Sequence, residues 1–170
     1  YLLFETPDSL LVLDQHAAQE RIVFEKLLLA IKNRNVEIQR LLEPIVIKLT
    51  PVERLSWNQA HDALEHAGFE TSLFDQGTLA IHSHPLFIVD PERSVRAILA
   101  DKDADLSDVE ALARRACRGS VMAGFSMNPE QAEYQRQALL GTHDPFTCPH
   151  GRPTALEIPE ITLSKQFLRT

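Results

Sequence analysis

Cysteine is scarce in this chain, and its basic residues are outnumbered. Two cysteines, Cys117 and Cys148, stand among 170 residues, which excludes the disulfide framework of a small secreted domain and fits a reducing, cytoplasmic setting. Lys and Arg total 17 against 24 Asp and Glu, a formal net charge of −7. Phosphate neutralisation drives nonspecific affinity, so a chain this acidic does not hold DNA tightly by itself. No apolar run approaches the roughly 20 residues that cross a bilayer, and no membrane association is expected. Repeats and low-complexity segments are absent. The opening Tyr1-Leu2-Leu3-Phe4 is strand-like, not a basic and apolar signal peptide, and the chain reads as a fragment of a longer protein.

The rest is ordinary for a globular chain, with 44% hydrophobic residues in a length that suits one domain or two small subdomains. Leu2–Glu5 and Leu10–Leu13 predict a β-hairpin around Thr6-Pro7-Asp8-Ser9. Ala18, Ile22, Leu28/Leu29 and Ile31 recur at helical steps over Gln15–Asn33, with Asp14 as N-cap. Glu37–Leu49 is extended around Ile45-Val46-Ile47. Thr50-Pro51-Val52-Glu53 opens a helix by capping box and N1 proline, and Gly68 closes it. Strands come next at Phe69–Phe74 and Thr78–Ser83. Helices are then expected from Asp90-Pro91, from a Ser107-x-x-Glu110 capping box, and from Asn128-Pro129. Gly141–Pro153 reads as a loop, Leu156–Ile158 as a short strand, and Leu163–Arg169 as weakly helical. The class is α+β, or mixed α/β. Residues 38–106 form a β-α-β-β-α segment of their own, inserted between 1–37 and 107–170.

Three clusters carry chemistry, and all lie outside that segment. The first is Asp14-Gln15-His16-Ala17-Ala18-Gln19-Glu20. His16 and Glu20 are four apart and share a helix face, which suits either one metal ion or an ordinary charged surface. The second is Cys148-Pro149-His150-Gly151-Arg152-Pro153, a stiff turn that can aim thiolate and imidazole at one point. The third is Ala116-Cys117-Arg118, whose cysteine reads equally as a small core residue. Glu20, Cys148 and His150 together offer O, S and N donors, a set that suits Zn²⁺. Glu25 turns about 140° from Glu20 on an ideal helix and is left outside that set. His82-Ser83-His84 alternates as a strand end does. Gln39-Arg40-Leu41-Leu42-Glu43-Pro44 reads either as strand entry or as an extended plug for an apolar pocket.

With these motifs the chain resembles the C-terminal domain of MutL mismatch-repair proteins, in the endonuclease-bearing form. The family pattern D-Q-H-A-x2-E-x4-E is complete in Asp14, Gln15, His16, Ala17, Glu20 and Glu25. Its A-C-R element matches Ala116–Arg118, its C-P-H-G-R-P element matches Cys148–Pro153, and Phe167-Leu168-Arg169 is a weaker match to a terminal F-x-R. The resemblance implies a dimerisation subdomain built from both chain ends, with a regulatory subdomain inserted. It implies metal binding by Glu20, Cys117, Cys148 and His150, with His16 and Asp14 at the same site. It implies a latent DNA nickase with Asp14 and Glu20 as catalytic residues, using zinc for structure or regulation and manganese, or alternatively magnesium, for activity. Gln39, Leu42 and Pro44 fit the family's sliding-clamp motif. The implied partners are a second copy, DNA, the clamp and, through the full-length protein, a MutS-type mismatch sensor. The motif's style suggests a bacterial, cytoplasmic, nucleoid-associated protein. The rival expectation is a non-catalytic homodimerisation module with a structural zinc.

Overall fold

The computed structural model describes residues 1–100, 105–120 and 126–168. Its elements are β1 (Leu2–Glu5), β2 (Ser9–Leu13), α1 (Gln15–Lys32), β3 (Ile38–Lys48), α2 (Pro51–His66), β4 (Thr71–Leu73), β5 (Thr78–Pro85), α3 (Pro91–Leu99), α4 (Val109–Ala116), α5 (Pro129–Leu140), β6 (Ala155–Pro159) and α6 (Glu160–Gln166), with a 3₁₀ turn at Cys117–Gly119. The fold is mixed α/β, with two antiparallel three-stranded sheets among the described residues. The chain divides into two compact units, Tyr1–Ile22 with Ser126–Thr170, and Val23–Phe125. The division falls within α1, away from the boundaries drawn from sequence at 37/38 and 106/107.

In the unit made from the chain ends, the β1–β2 hairpin puts Leu3 opposite Val12 and Leu2 opposite Leu13. The hairpin turn is closed by the Thr6 backbone N–H donating to the Ser9 carbonyl at 2.9 Å. β6 returns from far along the sequence to pair with β2, with Leu156 opposite Val12 and Ala155 opposite Leu13. Side chains alternate across a sheet, so Leu2, Phe4 and Leu13 face one side. There they pack with Ala18 and Ile22 of α1 and with Ala138 and Leu139 of α5. α5 starts at Asn128-Pro129 as its sequence predicts, and the structure adds a reciprocal capping box between Asn128 and Gln131. The Gln135 amide then ties α5 to the Gln15 carbonyl at 3.0 Å.

The Val23–Phe125 unit orders its strands β3-β5-β4. Its core gathers Leu27, Ile47, Leu64, Phe69, Leu79, Ile81, Ile98 and Leu112, all at most 2% exposed. The buried stripe of α1 therefore runs through Leu27; Leu29, one of the positions expected inside, is 60% exposed. The α2 capping box forms as expected between Thr50 and Glu53. The chain leaves α2 through Gly68 at φ +90°, where a Cβ would stand 2.7 Å from Val36 Cγ1. α4 departs from expectation: Asp108 is its N-cap and accepts from the Glu110 N–H. Ser107 instead donates its hydroxyl to Asp105, because two adjacent residues compete for one cap and the carboxylate is the stronger acceptor. Phe69 also leaves the expected strand, which narrows to Thr71–Leu73, and goes into the core.

Candidate metal centre

Among the described residues, one group of His, Cys, Asp and Glu side chains brings at least three ligand atoms together. Those of Glu20, Cys148 and His150 lie within 4.8 Å of one another. Glu20 comes from α1, and Cys148 and His150 from the turn that precedes β6. Glu20 and Cys148 are buried and His150 is half-buried. His150 Nδ1 is 3.2 Å from Glu20 Oε2.

The local chain path explains why the turn has this shape. Cys148 exchanges backbone hydrogen bonds with the residues just after it: its N–H donates to the Arg152 carbonyl at 2.8 Å, and its carbonyl accepts from Gly151 at 2.9 Å. Its sulfur accepts from the backbone N–H groups of His150 at 3.4 Å and Arg152 at 3.3 Å. Such a tight wrap needs Gly151 at φ +82°, a conformation that costs an L side chain. Thr147 and Pro153 bridge across the neck of the turn. Thr154, fully buried, donates its hydroxyl to the Pro145 carbonyl, and its own carbonyl accepts from the Asp14 N–H at 2.8 Å. The turn and the start of α1 are thereby stitched together next to the β2–β6 pairing.

Two arginines fix the charges. Arg21, 9% exposed, donates from Nε to the Thr147 carbonyl at 2.6 Å, and its Nη2 lies 3.4 Å from Asp144. Arg152 places Nη2 2.5 Å from Glu20 Oε2. Its guanidinium is held above its ordinary basicity, first by the hydrogen bond to Cys148 and then by Glu20. Arg152 belongs to the Cys148–Pro153 motif singled out in the sequence, whereas Arg21 does not stand out there, because its partners Thr147 and Asp144 lie more than a hundred residues away.

The other expected site residues are placed as follows. Asp14 caps α1: its Oδ1 accepts from the N–H groups of His16 at 2.9 Å and Ala17 at 3.1 Å. His16 is exposed, and neither residue joins the three-residue cluster. Cys117 belongs to the Val23–Phe125 unit, is fully buried, and donates from Sγ to the Arg114 carbonyl at 3.2 Å. Gln39, Leu42 and Pro44 are exposed on β3. Arg40 pairs with Ser83 and Ile45 with Ile81, so residues 41–44 bulge out opposite His82 alone. Leu42 stands completely exposed at the tip, and Pro44, which lacks an N–H, sits where no ladder bond is required. His82 and His84 lie on β5, as their alternation suggests. Arg169 of the terminal F-x-R lies outside the described residues.

The donor chemistry fits a borderline divalent ion. Tetrahedral zinc sets its ligand atoms about 3.5 Å apart, so this group closes on one by roughly an ångström of side-chain movement. A mixed α/β chain with a carboxylate–thiol–imidazole cluster, built where its two ends share a sheet, is the class defined so far. The family model for the MutL C terminal dimerisation domain matches residues 1–127, and the chain belongs to that family. It is similar to the DNA mismatch repair protein MutL of Clostridium acetobutylicum, 33% identical over 99% of this chain and 28% of that protein. The same named protein of Clostridium botulinum strain Langeland is 33% identical over 99% of this chain and 27% of its own length. That of Clostridium perfringens is 33% identical over 99% of this chain and 26% of its own length. The chain thus spans 26–28% of these curated relatives. Cys148 and His150 lie beyond the residues that the family model matches but inside the span shared with the relatives. Among the described residues, no helix is long and apolar enough to cross a membrane.

Proposed function

We propose that this chain is the homodimeric, metal-dependent endonuclease domain of a DNA mismatch repair protein, and that it nicks DNA. The observation that carries the reading is the convergence of Glu20, Cys148 and His150 within 4.8 Å, in a chain whose relatives are named for mismatch repair. These three residues would hold the ion. Asp14 spends Oδ1 on the helix cap, so Oδ2 is the oxygen with which it would orient a water or share a second ion. A divalent cation held there supplies Lewis-acid polarisation of a phosphoryl oxygen and a water of lowered pKa. Three protein donors leave room for such a water, as in catalytic zinc sites. Zinc suits the thiolate and imidazole, while manganese or magnesium suits the carboxylates and the phosphate.

Dimerisation is assigned to the sheet of the end-built unit. Leu3, Val12 and Leu156 are register partners on the face away from the core, with Leu10 and Ile158 on the same side. Leu3 is 64% and Leu156 61% exposed. A second apolar row on an already half-buried sheet is the pattern of a face that pairs with another copy. The bulged Gln39–Pro44 segment is assigned to the sliding clamp, a ring on DNA that would offset the −7 charge of the chain. A MutS-type sensor would act through the full-length protein.

Supercoiled-plasmid nicking by the full-length protein with manganese tests the reading. Asp14→Asn and Glu20→Gln are expected to lose nicking while remaining dimeric by light scattering; nicking at the parental rate removes both residues from the mechanism. A second reading, a dimerisation module with structural zinc, is favoured by the two backbone N–H groups on the Cys148 sulfur, which also suit a closed site. Four protein ligands counted by X-ray absorption at the zinc edge would select it.

A further inference from the structure

Arg152 occupies an unusual place for a residue beside a metal centre. Its guanidinium contacts Glu20 Oε2 at 2.5 Å and its backbone N–H donates to Cys148 Sγ at 3.3 Å, so it lies against two of the three groups able to ligate an ion. The carboxylate lone pair that the guanidinium engages is one a cation needs. Glu20 is closed in, with 11% of its side chain exposed, whereas 55% of the Arg152 side chain faces solvent. The anion is thus fixed and its partner can move. A monocation and a dication cannot share one carboxylate oxygen at bonding distance without strong repulsion. A buried carboxylate left with neither would be costly, so something positive must stand there in the absence of metal.

We propose that Arg152 is an exchangeable counter-ion of this centre: it neutralises Glu20 when no metal is bound and swings out to solvent when a divalent ion enters, so that it sets the affinity of the site. The inference rests on the metal-binding reading above. Opposite signs separate it from the usual role of a neighbouring group, since a residue that merely orients Glu20 weakens metal binding when removed, whereas a competitor strengthens it.

Zinc affinity of the full chain, read by competition with a chromophoric chelator at pH 7.5, decides between them. Arg152→Gln and Arg152→Met are expected to bind zinc about tenfold more tightly than the parent, equivalent to about 1.4 kcal/mol. Arg152→Lys, which keeps the charge, is expected to stay within about twofold. Equal or weaker binding by both neutral variants overturns the proposal while leaving the metal centre standing. Parental protein that binds no zinc overturns both. Should the neutral variants fail to fold without metal, refolding in zinc is expected to restore them, because the ion takes the guanidinium's place; failure to recover refutes the exchange.

Discussion

Arg21 makes the sharpest test of how the centre is held, because it grips the ligand-bearing turn by its backbone. It sits one residue after Glu20 on α1, and its Nε bonds the carbonyl of Thr147, one residue before Cys148, at 2.6 Å. Replacement by Met keeps the apolar stem and removes the guanidinium. A charge-assisted hydrogen bond to a carbonyl contributes about 1.5–3 kcal/mol. The 3.4 Å pair with Asp144, whose side chain is 46% exposed, adds at most about 1 kcal/mol because solvent screens it. The expected loss is therefore about 2–3 kcal/mol, or roughly 4–12 °C in thermal midpoint for a chain of this size. Asp144→Asn serves as the control and is expected to cost under about 1 kcal/mol. The Cys148 turn loses its tether to α1, so zinc affinity is expected to fall about 10- to 100-fold, as it does when groups behind metal ligands are removed. Circular dichroism melts and chelator competition check the two effects. An Arg21→Met protein that melts within a degree of the parent, or that melts early yet binds zinc unchanged, refutes the tether.

Other consequences are as specific. Gly119 has no room for a side chain: a Cβ would lie 2.2 Å from both the Asp90 carbonyl oxygen and Ser94 Oγ. Gly119→Ala is expected to destabilise by about 3 kcal/mol or more in urea titration, and a midpoint shift worth under about 1 kcal/mol would disprove the close approach. Glu133 is pulled down to about 2 by hydrogen bonds from Arg136 and then Gln137. A depressed carboxyl stabilises fully above its unfolded value of 4.5 and loses that contribution as pH falls towards 2. Carbon-13 NMR of the Glu133 carboxyl is expected to show a midpoint near 2, and titration near 4.5 would contradict the pairing. Replacing Gln39 and Leu42 together with Ala is expected to abolish pulldown by a sliding clamp without changing the melt, since both side chains are exposed; retained capture rejects that assignment.

Much of this was legible because the informative signals are local. The capping box at Thr50, the helix start at Asn128-Pro129, the helix exit at Gly68 and the alternation through His82–His84 depend on neighbours within a few residues. The Glu20–Cys148–His150 grouping was legible for a different reason, the mixed O, S and N donors that two ordered motifs offer a borderline ion. What was not legible depends on distant partners. The exposure of Leu29 and the full burial of Leu27, with Leu28 packed at the edge of the core, reflect which elements pack on the helix, a matter that a single periodicity does not determine. Nothing near Gly119 in sequence marks it, and only the approach of Asp90 and Ser94 shows why it is glycine. Arg152 lies in a motif that marks it, whereas nothing near Arg21 in sequence shows that it holds the turn bearing two of the three donors.

The centre's dependence on both chain ends has an energetic consequence. Glu20 is fixed by α1, which comes directly after β2, while Cys148 and His150 precede β6, and β2 pairs with β6 from Ser9↔Pro159 to Leu13↔Ala155. The ligands therefore come within reach only when a contact spanning most of the sequence has formed, and the unfolded chain does not offer the three donors together. An ion bound under the proposed reading binds the folded state alone, and at a hundred times its dissociation constant it would add about 2.7 kcal/mol. The metal would then act as a non-local clasp on a small core of Leu13, Ala18, Ile22 and Leu139 as well as a reagent. Stability and catalysis would draw on the same three side chains. A nicking-dead substitution at Glu20 is thus expected to lose the zinc-dependent rise in melting temperature, whereas Asp14→Asn, outside the cluster, is expected to keep it.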